Sequence, residues 1–207
     1  MARLHNRACC TRNRDGGHVR QGLALVCAIA VLNGLFLLTG PAHAQERKPG
    51  EYDVKAAYLY NFGRFVNWPA TLTPATDNAF PVCILGHDPF GPILDETLAN
   101  ETTNGRSLLA KRIAKAADAT DCRIVFISNS EAARLKELLE TMHKMPVLTV
   151  SDIPEFAKRG GMIGFVTSEN RVRFEVNTAA ASDAGLTLSA ELLKVAVAVR
   201  KDRDTKN

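Results

Sequence analysis

Two short apolar runs, Pro81-Val-Cys-Ile-Leu-Gly86 and Cys122-Arg-Ile-Val-Phe-Ile-Ser128, constrain this chain more than any other stretch. Each is bounded by turn or polar residues and is apolar almost throughout, the pattern of a strand buried on both faces. Each carries one cysteine near its start. If the two strands lie in one parallel sheet with aligned N-terminal ends, Cys83 and Cys122 come within bridging distance, ~4.4–6.8 Å between Cα atoms. Three fates are open to the pair: a structural disulfide, two free buried thiols, or a redox-active couple. A bridge would close a loop of about 40 residues and contribute roughly 4 kcal/mol by restricting the unfolded chain.

The first 44 residues read as a secretory signal peptide rather than as part of the fold. Arg3, Arg7, Arg12, Arg14 and Arg20 precede an apolar run from Leu23 to Leu38, and Ala42-His-Ala44 supplies an A-x-A cleavage site. A retained anchor is the alternative, but Asn33-Gly34 interrupts a run already shorter than the ~20 residues of a membrane span. The mature chain is expected to start at Gln45. Cys9, Cys10 and Cys27 leave with the leader, so one pair of cysteines remains for an oxidising compartment. The whole chain has 26 basic and 22 acidic residues, and the leader holds five of the former and one of the latter, so the mature charge is zero. The apparent basicity is therefore no argument for nucleic acid, and none is expected as a partner. A single domain of this length can bury a full core.

Glu51 to Trp68 reads as a helix, with Val54, Tyr58, Phe62 and Phe65/Val66 recurring at helical spacing and Pro69 as the stop. Six of the chain's thirteen aromatic residues lie in it. They either fill the core or leave Tyr52, Tyr60 and Trp68 outside as a patch for a partner or a planar ligand. A loop at Thr71–Asn78 precedes the first strand, and a short helix over Ile93–Ala99 follows. Arg106–Ile113 suits either a helix face or a strand. Ser128-Asn-Ser-Glu131 has the form of a capping box for a helix with Ala132, Leu135, Leu138, Leu139 and Met142 on one face.

A strand is expected at Val147–Val150, then a short helix capped by Asp152 that ends at Gly160-Gly161. Met162–Thr167 and Arg171–Val176 read as a hairpin. Asn177 caps a helical turn ending at Gly185. Ser189 caps a last helix with Leu192, Leu193, Ala196 and Val197 on its buried side, before a charged tail, Arg200–Asn207. The alternation gives one α/β domain with a mixed sheet.

Signs of catalysis are few. His87 and His143 are the only histidines outside the leader, which disfavours a zinc site, and no catalytic residue, metal or cofactor is nominated. His143 suits a helix C-terminus. His87-Asp88 follows a strand, where open α/β sheets bind ligands, and a hydrolase reading would rest on His87. Gly160-Gly-Met-Ile-Gly164 enters a strand instead of joining strand to helix, so it is not a dinucleotide fingerprint. A small-ligand reading is better supplied: Arg64, Asn67 and Trp68 after the aromatic helix, with Asn177 at a strand end, could bind a planar anionic, aromatic or nucleotide-like molecule.

Several segments together resemble one family. They are Lys55-Ala-Ala-Tyr-Leu-Tyr-Asn-Phe62 with Phe65 and Trp68-Pro69, Ile84-Leu-Gly86 with Asp88-Pro-Phe-Gly91, and the Cys122–Ser128 run with Glu131. Val147-Leu-Thr-Val-Ser-Asp152, Phe156-Ala157, Gly160-Gly-Met-Ile163, Asn170-Arg-Val-Arg-Phe-Glu-Val-Asn177 and Leu192-Leu-Lys194 complete the set. In this order they resemble the YfiR family of exported bacterial proteins, over nearly the whole mature chain. The resemblance implies a three-layer, Rossmann-like α/β sandwich around a central mixed sheet of about six strands, with a strand at Arg106–Ile113. It implies that Cys83 and Cys122 form the family's structural disulfide; a second pair found in some members is absent here. It also implies a periplasmic, non-enzymatic, often dimeric repressor. Its partner would be the periplasmic domain of an inner-membrane diguanylate cyclase or sensor kinase, with release by an outer-membrane lipoprotein and consequences for biofilm.

Overall fold

The computed structural model describes residues 50–69 and 78–201. The leader, nearly all of the Thr71–Asn78 loop and the end of the charged tail lie outside the described residues. Eight strands form one mixed sheet in the order β10-β8-β7-β6-β5-β2-β4-β3. Its centre is β2 (Ala79–Leu85), β5 (Ile124–Ile127) and β6 (Leu148–Ser151), every residue of which is buried. They run parallel, with Val82 opposite Ile124 and Ile124 opposite Leu148. On one side β4 (Arg106–Ile113) continues the parallel run and β3 (Thr102–Thr103) ends it antiparallel. On the other side β7 (Ile163–Ser168) is parallel to β6 and forms an antiparallel hairpin with β8 (Arg171–Asn177). The last strand, β10 (Ala198–Arg200), lies parallel to β8.

The period of two along each central strand divides its side chains between two cores. Val82, Ile84, Ile124, Phe126, Leu148 and Val150 meet α1 (Glu51–Phe65) and α2 (Pro92–Leu98) on one face. Cys83, Leu85, Val125 and Ile127 meet α3 (Leu135–Met142) and a 3₁₀ segment at Ala116–Asp121 on the other. These are the three layers that the family resemblance implies. Arg106–Ile113 is a strand, as that resemblance favours over composition alone.

The sheet has eight strands where about six were expected. The two extra ones are the edges: β3 has two residues and β10 has three, too few to show a period. A separate pair joins β1 (Val66–Asn67) to β9 (Thr187–Leu188). This pairing ends α1 at Phe65, ahead of the expected stop at Pro69, because Ser189 N–H donates to the Phe65 carbonyl at 2.9 Å.

Two expected helices differ. No helix follows Asp152: the Ser151 hydroxyl accepts from Ile153 N–H at 3.0 Å, the Asp152 carboxylate turns to α1, and Glu155 has φ 59°, which interrupts any helical run. Gly161 is required in the resulting turn, since a Cβ there would lie 2.1 Å from the Phe156 ring. The last helix, α5 (Ala190–Val195), is capped by Ser189 as expected but stops early; Ala196 is extended and leads into β10. Val197 is consequently 48% exposed instead of buried, and Arg200 belongs to a strand instead of a frayed tail.

The remaining local readings correspond closely. Ser128 Oγ accepts from Ser130 N–H, opening a 3₁₀ turn that leads into α3, while Glu131 pairs with Arg134 instead of closing a capping box. The β7–β8 turn puts Glu169 and Asn170 at φ 51° and 57°, the left-handed pair that a two-residue hairpin needs. Asn177 caps α4 (Thr178–Asp183) through Ala180 N–H at 3.0 Å.

Cys83 and Cys122 are bonded, with Cα atoms 6.0 Å apart. Cys83 is the fifth residue of β2 and stands opposite Val125, whereas Cys122 precedes β5, so the bridge ties the middle of one strand to the entry of the next. Both are fully buried. Replacing both by alanine is expected to lower unfolding stability by about 2–4 kcal/mol, through the 39-residue separation that the bond closes. Urea denaturation of the double variant against the oxidised protein measures it.

Candidate functional site

Lys55 is the residue that sequence reasoning missed. The buried stripe of α1 is Lys55/Ala56, Leu59 and Phe62/Gly63, one position on from the Val54–Tyr58 stripe read from spacing. A lysine on that stripe needs a partner, and it has two: Nζ lies 2.6 Å from Glu51 Oε1 and 2.6 Å from Asp152 Oδ2. It also sits 4.4 Å from the centre of the Tyr52 ring. Tyr52 donates its hydroxyl to the same Asp152 oxygen at 2.9 Å. Burial, then that hydrogen bond and the neighbouring carboxylates, push the phenol up to about 12, so it remains a donor at any physiological pH. Asp152 Oδ1 is buried with no hydrogen-bond partner. The cluster lines a cavity of about 530 Å³ that Asn129, Asp152 and Thr167 enter from the carboxyl ends of β5, β6 and β7. The signal was present: a lysine at i, i+4 and i+7 from core positions on the one strongly aromatic helix.

The chain order reverses at β2, which lies between β4 and β5, and His87-Asp88 follows it. This is where a doubly wound sheet opens a crevice. Here the protein's own groups occupy it. Ser130 Oγ accepts from His87 N–H at 3.0 Å, and Gly86 has no room for a Cβ, which would lie 2.6 Å from that oxygen. Arg112 pairs with Asp88 at 2.7 Å and Asp95 at 2.6 Å. Its hydrogen bonds hold Asp95 below the usual carboxylate range.

The four ligand residues read from sequence do not converge. Arg64 is exposed on α1, and Asn67 is exposed on β1 opposite Thr187. Trp68 packs edge-on against Phe80 at 5.2 Å and buries its Nε1 with no hydrogen-bond partner. Asn67 and Trp68 share a cavity of about 270 Å³ with Arg106 and Arg123. Asn177 is buried elsewhere. Its amide donates to the Ala157 carbonyl at 2.9 Å, and it borders a cavity of about 400 Å³ with Thr149, Lys144 and Lys158. The aromatics of the Glu51–Trp68 stretch go largely to the core, with Tyr52, Tyr58, Tyr60 and Trp68 packed against it and Phe65 37% exposed.

Comparison with known proteins gives one family. A family model described as YfiR/HmsC-like (DUF4154) matches residues 52–197. No curated protein matches the chain. Among solved structures, a conserved domain protein from Vibrio cholerae is similar at 11% identity and a TM-score of 0.49, over 72% of this chain and 60% of that one. The ABC domain in complex with L-Trp from Streptococcus pneumoniae is similar at 11% identity and a TM-score of 0.47, with the same shares. The chain thus spans 60% of the length of each.

Two outcomes follow from the charges. Lys55→Met is expected to cost about 3 kcal/mol, because Asp152 loses its buried cation partner, and adding Asp152→Asn to it recovers most of the loss. Chemical denaturation of the single and double variants reads this. Arg112→Gln is expected to cost about 1 kcal/mol at neutral pH, since Asp95 is half exposed and the pair is screened. A carboxylate with a lowered folded pKa stabilises fully above its unfolded value and loses that contribution as pH falls through the folded one. The difference in melting temperature between Arg112→Gln and the parent is therefore expected to shrink below about pH 4.

Proposed function

The chain belongs to the YfiR/HmsC-like family, and from that premise we propose that it is an exported regulator that binds and represses the periplasmic domain of an inner-membrane diguanylate cyclase or sensor kinase. At family level, YfiR/HmsC-like proteins are periplasmic regulators of cyclic-di-GMP signalling, not enzymes. The observation that carries the reading is the family match over residues 52–197, which takes in every element from α1, less its first residue, to α5 and leaves out only β10. Residues 1–44 are on this reading the leader that delivers residues 45–207 to the periplasm. Self-association as a dimer and release by an outer-membrane lipoprotein belong to the same proposal.

The sheet supports docking of a protein. β10 is its terminal strand, and among the described residues no further strand pairs with it on the outer side. Val199 on this strand is 37% exposed, and Val195 and Val197 just before it are 57% and 48% exposed. An apolar strand edge invites an added strand from a partner, with main-chain hydrogen bonds supplying affinity. Repression would follow if the cyclase domain is held in one arrangement by that contact.

The purified protein is expected to capture the periplasmic domain of the cyclase encoded beside it. Val197→Lys should weaken capture by roughly tenfold or more while leaving the melting temperature unchanged, because an exposed side chain contributes little to the fold. Deletion of the gene should raise cyclic-di-GMP and biofilm. Unchanged cyclic-di-GMP after deletion, with no capture in vitro, would sink the regulatory reading. N-terminal sequencing of the exported form should begin at Gln45.

A further inference from the structure

Arg123 is charged, 5% exposed, and among the described residues its guanidinium has no carboxylate and no hydrogen-bond acceptor. It has five N–H donors and does not deprotonate in a protein, so with the residue 5% exposed those donors are left to the cavity it lines. Cys122 and Ile124 on either side are fully buried, so the backbone holds it there. Its charged neighbour makes matters worse: Arg106 repels it, and burial together with that repulsion lowers its pKa. The site is therefore unfavourable for an empty cation and favourable for any anion that enters.

The surrounding cavity is built for such an anion. Arg106 from the start of β4, Arg123 from the entry to β5, and Trp68 line it, with the carboxamides of Asn67 and Asn104 at hand. Trp68 Nε1 can only donate, and it is buried with nothing to donate to. Among the described residues, no acidic side chain lines the cavity. Two guanidinium side chains thus line about 270 Å³, together with a tryptophan whose indole N–H is buried without an acceptor. This differs from the carboxyl-edge cavity, where Lys55 is already paired with two carboxylates.

We propose that this cavity is a binding site for a small oxyanion, a carboxylate or phosphate group held by Arg123 and Arg106 beside the Trp68 indole. An anionic oxygen supplies the acceptors that both guanidiniums lack among the described residues, and a guanidinium binds either group through two parallel hydrogen bonds. Arg64 and Asn177, which the sequence suggested for an anionic ligand, take no part. The proposal does not depend on partner capture, which is read at β10; either can fail alone.

Trp68 is the only tryptophan of the chain, so its fluorescence reports on this cavity directly. The purified, disulfide-bonded protein is titrated with sodium phosphate and, separately, with sodium acetate, at constant ionic strength maintained with sodium chloride. The expected result is a saturable change in fluorescence with at least one of the two, and the arm that saturates at lower concentration identifies the group. Arg123→Met should weaken it by roughly 10-fold to 100-fold, the usual effect of losing charged hydrogen bonds. Arg106→Gln, at a half-buried position, gives the same direction if Arg123→Met does not fold. No saturable change with either anion up to about 50 mM, or an unchanged affinity in Arg106→Gln, overturns the proposal.

Discussion

Burial of β2, β5 and β6 on both faces is the constraint on which the rest of this structure depends. A parallel strand with apolar residues on both faces is stable only if each face is covered, and its connections must be crossovers that supply the cover. The chain meets the requirement with α1 and α2 on one side and the Ala116–Asp121 turn and α3 on the other. The disulfide belongs to this arrangement, because Cys83 faces the second core and the entry to β5 passes beneath it. Edges, hairpin and capping turns then add to a centre whose register is already determined.

Two cations are drawn into that interior with opposite results. Lys55 is satisfied by Glu51, Asp152 and the Tyr52 ring, which together tie the aromatic helix to the loop after β6. Arg123 is not satisfied by anything among the described residues, and it faces a cavity that Arg106 makes more positive still. The first is an internal tie, with its cost met by neighbouring carboxylates. The second leaves electrostatic work for a ligand. A regulatory protein can use such a site to let a small molecule influence a surface elsewhere, through strands that share one core.

The candidate site was less legible than the fold, for a definite reason. Trp68 and Asn67 were read as ligand-type residues because they follow an aromatic helix in a break. Arg106 and Arg123 were not, since one opens a strand of ambiguous pattern and the other interrupts an apolar run that reads as core. Arg64 and Asn177 have suitable chemistry but are directed elsewhere: Arg64 by the phase of α1, and Asn177 by its capping bond to α4 and its bond to Ala157. Lys55 carried a signal in its helical phase, and an offset of one residue in reading that phase concealed it.

Local pattern was sufficient wherever a residue's role depends on near neighbours. The apolar runs at Cys83 and Cys122, the caps at Ser128, Asn177 and Ser189, the β7–β8 hairpin and the family segments could all be read in order along the chain. Tertiary structure decided whatever depends on a partner remote in sequence. It withheld a helix after Asp152 by engaging that carboxylate with Tyr52 and Lys55, and it ended α1 early by pairing Val66–Asn67 with Thr187–Leu188. It turned the last helix into β10 by offering the open side of β8. In each case the competing hydrogen bond or ion pair spans tens of residues, so no window on the sequence contains both of its ends.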